Sequence, residues 1–244
     1  YAGFRNTQLT WMDAQVDDFN VTPRNGCPVE INALWYNALQ IYEYLGNRIN
    51  KVGFQYRYLS ELIRENFKAY FWNKKGYLND LAVPGSIPDN RIRPNQIYAV
   101  SLPFPILSSA DEQSVVKFVG KKLLTDYGLR TLDVKDPGFK SNYQGGRWER
   151  DAAYHQGTVW PFLLGEYLQA YLKVNNYSLE ARWEAERLIE PLKAHFYNQN
   201  CLMAISEVFD GKEPKEGKGC FQQAWSVGNL LYVILRNGLY RDHS

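Results

Sequence analysis

Residues 28–50 read PVEINALWYNALQIYEYLGNRIN, and residues 55–73, a few positions on, read QYRYLSELIRENFKAYFWN. The contrast between these two stretches decides the fold. In the first, Val29, Ile31, Leu34, Trp35, Leu39, Ile41 and Leu45 recur with few charges between them. In the second, Leu59, Leu62, Ile63, Phe67, Tyr70 and Phe71 keep to one face, while Arg57, Glu61, Arg64, Glu65 and Lys68 take the other. A helix apolar nearly all round is buried on several sides, whereas one apolar stripe means one buried side. The pair therefore predicts an inner helix followed by an outer one.

The same alternation runs along the chain. Helices are expected over about residues 28–50, 55–73, 94–107, 110–124, 154–174, 178–198 and 221–238. The segments 55–73, 110–124 and 178–198 are amphipathic. In the last of these, Ala185, Leu188, Ile189, Leu192 and Phe196 lie opposite Glu184, Glu186, Arg187 and Glu190. The other segments are apolar on most sides. Helix 221–238 carries Trp225, Val227, Leu230, Leu231, Val233, Ile234 and Leu235. Ser109 followed by Glu112 reads as a capping box for 110–124. Inner-to-outer connections are short. Outer-to-inner connections (74–93, 125–153, 199–220) and the leading segment 8–27 are long and rich in Gly, Pro, Trp, Arg and acids. An all-α toroid of helical hairpins gives this pattern, with the long loops gathered at one rim, where function is expected. The polar run 210–218 reads as a solvated loop.

Composition narrows the function classes. The chain has 244 residues and a formal net charge of +2, a balance that offers no field for nucleic acid or an anionic membrane. No apolar run approaches the roughly 18 residues of a membrane helix. Cys27, Cys201 and Cys220 are odd in number, which points to a reducing, cytoplasmic setting; with no metal-binding spacing, scattered histidines and no Gly-rich phosphate loop after a strand, no metal and no cofactor are expected. Asn20-Val21-Thr22 and Asn176-Tyr177-Ser178 match the glycosylation pattern, one short enough to arise by chance. The 18 Tyr, 12 Phe and 7 Trp fit either an aromatic core or a cleft for a flat, hydroxylated ligand.

Two rim carboxylates stand out. Asp13, in Thr10-Trp11-Met12-Asp13-Ala14, sits beside a Trp, and an apolar neighbour raises a carboxyl pKa by desolvation, as a general acid requires. A helix cap or a loop salt bridge is the other reading. Glu207, in Ala204-Ile205-Ser206-Glu207-Val208-Phe209-Asp210-Gly211, lies in an apolar, β-prone stretch and must face something polar. It reads as a catalytic carboxylate or as the partner of a loop arginine. Arg93 and Asn95, Arg130, and His155, Gln156 and Trp160 are rim residues of the types that grip sugar hydroxyls and rings. Alternatively, Arg93 and Arg130 satisfy loop carbonyls and Trp160 is core. Asp151 is a candidate helix cap, and neither His195 nor His243 takes a role.

Taken together and in order, several motifs resemble the amylo-alpha-1,6-glucosidase domain of glycogen debranching enzymes, especially the bacterial and archaeal form. They are Thr10–Ala14, Thr22-Pro23-Arg24 followed by Pro28–Trp35, Arg93–Gln96, Ser101–Phe104, Tyr127–Thr131, Tyr154–Pro161 and Ser206–Gly211. The resemblance runs from about residue 8 to 237. It implies a glucoamylase-like (α/α)6 toroid and inverting hydrolysis of α-1,6-linked glucose at glycogen branch points. By this resemblance Asp13 matches the general acid and Glu207 the general base. It also places Trp11, Arg24, Trp35, Arg93, Asn95, Arg130, His155, Gln156, Trp160 and Trp225 on the sugar-binding surface. The expected substrate is glycogen or a branched malto-oligosaccharide. A glycoside phosphorylase on the same fold, or a non-catalytic glycan-binding domain, stands as the alternative.

If 221–238 is the twelfth helix of such a toroid, residues 1–244 form the C-terminal part of a single glucosidase domain, about seven helices of twelve. The N-terminal helices, and any N-terminal domain, are then expected to lie in a further part of the same protein. An open partial toroid exposes apolar inner faces.

Overall fold

The computed structural model describes residues 7–49, 56–213 and 215–240. Its long helices are α1 (Val29–Arg48), α2 (Arg57–Phe71), α4 (Ser109–Leu123), α6 (Phe162–Val174), α7 (Leu179–Asn198) and α8 (Ala224–Asn237). Two shorter ones, α3 (Tyr98–Ser101) and α5 (Arg147–Tyr154), lie between them. The expected helix ends at Asn50 and Gln55, and His243, fall outside the described residues.

The inner and outer layers are present. α1 packs on α3, α3 on α6, and α6 on α8, making one row of inner helices. Behind it α2 packs on α1, α4 on α3 and α6, and α7 on α6. In the middle of the row α6 is enclosed on most sides, with Leu163, Leu164, Leu168 and Leu172 fully buried. Each such side chain contributes about 1.5–3 kcal/mol relative to exposure. Gly165 allows the tight approach of α8, because a Cβ there would stand 2.7 Å from the Asn229 carbonyl oxygen. The end helices of the row are less covered. Leu34, Trp35, Ile41, Tyr42 and Leu45 of α1 are exposed, as are Leu231, Tyr232 and Leu235 of α8. These apolar faces are open to solvent apart from Tyr42, whose ring meets that of Tyr56 at 5.3 Å.

Several expectations need correction. The helix expected over 94–107 is a 3-10 turn at Pro94–Ile97 running into α3, which ends at Ser101. Pro103 and Pro105 force Leu102 and Phe104 out of helical geometry. The helix expected from residue 154 begins only at Phe162. The cap of α4 is Ser108, whose hydroxyl accepts from the Asp111 N–H at 3.2 Å; Glu112 instead pairs with Lys173 at 2.8 Å. Asp151 lies inside α5, a helix that the apolar pattern does not announce, and pairs with Arg147.

The all-α expectation also fails at the rim. There, β7 (Leu124–Thr125), β8 (Gly128–Arg130), β9 (Val159–Trp160), β10 (Val208–Phe209) and β11 (Gly217–Lys218) form one antiparallel sheet in the order β11-β10-β9-β8-β7. Strands of two or three residues are too short to show alternation in sequence. Three further two-stranded pairs form: β1 (Gln15–Val16) with β2 (Phe19–Asn20), β3 (Cys27–Pro28) with β6 (Leu81–Ala82), and β4 (Trp72–Asn73) with β5 (Tyr77–Leu78). Nor are the ends of the run 210–218 merely solvated: buried Asp210 holds Lys218 at 2.6 Å, and Gly217 and Lys218 form β11; Pro214 lies outside the described residues. Apart from the β1–β2 hairpin, which leads into α1, the strands follow an outer helix or precede an inner one. The long loops therefore do gather at one end of the layers.

Candidate active site at the rim

Asp13 is set in place by its neighbours on both sides. Trp11 enters an aromatic cluster, edge-on to His155, Trp160, Phe162 and Trp225 at centroid distances of 5.1–6.3 Å. Its indole N–H donates to the Asn95 side-chain oxygen at 2.8 Å. Met12 is fully buried, with its sulfur near the Arg93 guanidinium and the Asn95 amide. Beyond Asp13, the β1–β2 hairpin packs on α5, where Ala14, Val16 and Val21 form a small core against Tyr154. Asp13 itself points outward with its side chain 64% exposed, 3.9 Å from the Nε2 atom of His155. The desolvation expected from Trp11 is therefore absent: the indole is turned into the cluster and the carboxylate into solvent.

Glu207 precedes β10 and is held at both oxygens. The Tyr154 hydroxyl donates to Oε1 at 2.5 Å, the Gln223 amide donates to the same atom at 3.0 Å, and the Cys220 N–H donates to Oε2 at 2.9 Å. The backbone N–H of Glu207 returns a bond to the Cys220 carbonyl at 2.8 Å. Burial and the Glu207 carboxylate push the Tyr154 hydroxyl well above the usual phenol range, so it stays a donor. The expected arginine is not one of these partners. Gly219 completes the cradle: a Cβ there would stand 2.4 Å from Oε2.

The two carboxylates are brought to one place by adjacent residues. Tyr154 reaches Glu207 and His155 faces Asp13, while the two rings lie 4.7 Å apart. Burial, with the Arg93 and Arg24 guanidiniums nearby, pushes His155 well below its ordinary value, so the imidazole is neutral.

Most of the expected sugar grips turn inward and serve as scaffold. Arg24 is buried between Glu30 and Asp80, with its Nη2 atom 2.7 Å and 3.0 Å from them. Asn95 donates to Asp80 at 2.8 Å. Arg93, 1% exposed, donates to the Thr131 and His155 carbonyls and to the Gln156 side-chain oxygen. Gln156 also donates to the Val21 carbonyl at 3.1 Å. Trp160 is core, its indole N–H bonded to the Tyr154 carbonyl at 2.9 Å. Arg130 donates to the Gly211 carbonyl at 2.7 Å. These groups fix the loops around the carboxylates, and a buried guanidinium of this kind is not free to bind a sugar. Trp225, stacked on Phe162 at 4.1 Å, stays part-exposed beside the cluster. Trp35 lies on the open face of α1, away from the ring contacts that build the cluster.

Sequence reasoning missed the residues that hold Glu207. Tyr154 belongs to one of the family-like motifs, but its residue type alone gives it no role, while Gly219, Cys220 and Gln223 gave no signal. His195 is a further case. From α7 its Nε2 atom lies 3.2 Å from the Ser206 hydroxyl, and its ring packs edge-on against Phe209 at 4.8 Å. A lone histidine on an amphipathic helix carries no mark of such a task.

A family model described as amylo-alpha-1,6-glucosidase matches residues 1–232. The chain belongs to that family. It is 25% identical over 205 residues, 66% of its length, to the glycogen debranching enzyme of Saccharomyces cerevisiae, of which it spans 13%. Among solved structures it resembles a GH63 mannosylglycerate hydrolase from Thermus thermophilus, with TM-score 0.59 and 15% identity, covering 86% of this chain and 46% of that one. A protein described as a sialidase gives TM-score 0.65 at 16% identity over 87% of this chain and 20% of its own. The likeness to these two is one of fold, of the helical, glucoamylase-like kind. The chain thus spans less than half of each of these relatives. For a member of a glycosidase family, paired rim carboxylates are the chemistry to expect.

Proposed function

We propose that this chain carries the catalytic carboxylates of an inverting glycosidase that releases α-1,6-linked glucose from glycogen or branched malto-oligosaccharide. The observation that supports this most is the convergence of Asp13 and Glu207 on the adjacent residues Tyr154 and His155. Asp13, open to solvent, donates its proton to the glycosidic oxygen. Glu207, oriented by three donors, accepts a proton from the water that attacks the opposite face of the sugar. Room for that water calls for carboxyls about 6.5–9.5 Å apart. Covering Asp13 falls to the bound substrate, because Trp11 does not cover it. Trp225, part-exposed beside the cluster, is the aromatic group of that cluster best placed to meet a sugar face. The exposed apolar faces of α1 and α8 fit a toroid completed by residues outside this chain, so activity belongs to the full-length protein.

The test is hydrolysis of a singly branched oligosaccharide by that protein, with Asp13→Asn and Glu207→Gln. Each substitution is expected to lower kcat by roughly 10²–10⁴-fold. NMR at early times should show β-glucose as the first product. Near-normal release by either variant, or α-glucose as the first product, refutes the reading.

A further inference from the structure

The dipeptide Tyr154-His155 addresses both candidate carboxylates, and neither residue donates or accepts a proton in the hydrolysis itself. We infer that Tyr154 and His155 are a joined pair of positioning residues, Tyr154 for Glu207 and His155 for Asp13, which together set the spacing of base and acid. The inference rests on the assignment of those two carboxylates.

Three observations carry it. First, the Tyr154 hydroxyl is bonded to Glu207 Oε1 at 2.5 Å, a short contact of the kind charge-assisted bonds make. Second, both ring nitrogens of His155 are buried and have no hydrogen-bond partner among the described residues, yet Nε2 faces the Asp13 Oδ1 atom at 3.9 Å. A buried imidazole with neither nitrogen satisfied is costly, and the nearby carboxyl is its available partner once substrate draws Asp13 inward. Third, the dipeptide is itself rigidly held. The Tyr154 carbonyl accepts from the Trp160 indole and the Thr158 hydroxyl, and the His155 carbonyl accepts from Arg93 at 2.7 Å. Tyr154 also packs on the small core that carries the Asp13 segment. Displacing this one peptide therefore moves both carboxylate partners together.

The neutral imidazole suits the task. It presents one N–H and one bare nitrogen, so it can orient a carboxyl group that still bears its proton without favouring its ionisation, as a nearby cation would.

Two substrates separate the roles in the full-length protein. A branched oligosaccharide needs its leaving oxygen protonated. α-Glucosyl fluoride carries a leaving group that departs with little acid help but still needs an activated water. Tyr154→Phe removes only the hydroxyl and should lower kcat on both substrates by about 10-fold, with KM little changed. His155→Gln should lower kcat on the oligosaccharide by about 10-fold and leave fluoride hydrolysis within about threefold of the parent. In a Glu207→Gln background, Tyr154→Phe should cost nothing further, because it acts through Glu207. Equal losses on both substrates for His155→Gln, or an undiminished Tyr154→Phe effect without Glu207, overturn the inference and leave a packing role. If Asp13→Asn and Glu207→Gln are themselves active, the carboxylate assignment fails instead.

Discussion

Gly219→Ala puts the placement of Glu207 to a severe test. Gly219 has φ +73°, and a Cβ added there would stand 2.4 Å from Glu207 Oε2, 3.1 Å from its Cβ and 3.3 Å from its Cδ. Ordinary contact requires the carboxylate to retreat by about 1 Å. A surface glutamate would make that move at no cost. Glu207 cannot, because the Tyr154 hydroxyl, the Gln223 amide and the Cys220 N–H fix both of its oxygens. Alanine in the left-handed region adds about 1–2 kcal/mol of backbone strain, so a modest loss of stability accompanies the change. A displacement of about 1 Å in a group that activates the nucleophile costs on the order of 100-fold in rate. The assay is kcat on branched oligosaccharide and on α-glucosyl fluoride, with thermal melting as the control for folding. Both substrates should suffer alike, since the base serves both. A folded variant that keeps more than about a third of the parental kcat, well above the loss that such a displacement brings, refutes the argument that the cradle sets the position of Glu207.

Three further outcomes follow from the scaffold. Asp80→Ala strips the buried Arg24 and Arg93 of a shared partner and should cost about 3–5 kcal/mol in denaturant titration; a loss under about 1 kcal/mol contradicts that role. His155 is held neutral below its ordinary pKa of 6.5, so the unfolded chain takes up a proton that the folded one refuses. Its stabilising contribution is present above about pH 6.5 and is lost as pH falls below it, by up to about 1.4 kcal/mol per pH unit. His155→Gln should flatten that part of the acid limb, and an unchanged slope between about pH 6.5 and 5.5 argues against it. Gly165→Ala forces α6 and α8 apart, since the obstruction is the Asn229 backbone, and should cost about 1–3 kcal/mol by thermal melting.

The layers were legible in the sequence because they rest on a long-range pattern. Period and breadth of the apolar face distinguished α1 from α2 and α7 from α8 without any other information. The rim was not legible in the same way. Leu129 pairs with Trp160, and Phe209 with Val159, through strands too brief to alternate. The helix over 94–107 was overdrawn because apolar residues continue past Ser101 while two prolines end the turn. Asp13 and Glu207 stand out by their local company, but Trp11 turns away from Asp13 and leaves its carboxylate in solvent. Arg24, Arg93 and Gln156 look like ligand grips in sequence because the residue types are the same. Only burial distinguishes a guanidinium that meets a sugar from one that ties three loops together.

The rim sheet has a consequence for how such enzymes diversify. Its strands come from two successive connections, β7–β9 between α4 and α6 and β10–β11 between α7 and α8, and β10 sets the residue just before it, Glu207. The stitched points are few and short, and a longer stretch of chain, 134–153, lies between two of them. Insertions there, ahead of Tyr154 and His155, lengthen a wall of the site without shifting the register that places Glu207. Such a stretch can be rewritten while the seam, and the residues it holds in place, stay where they are.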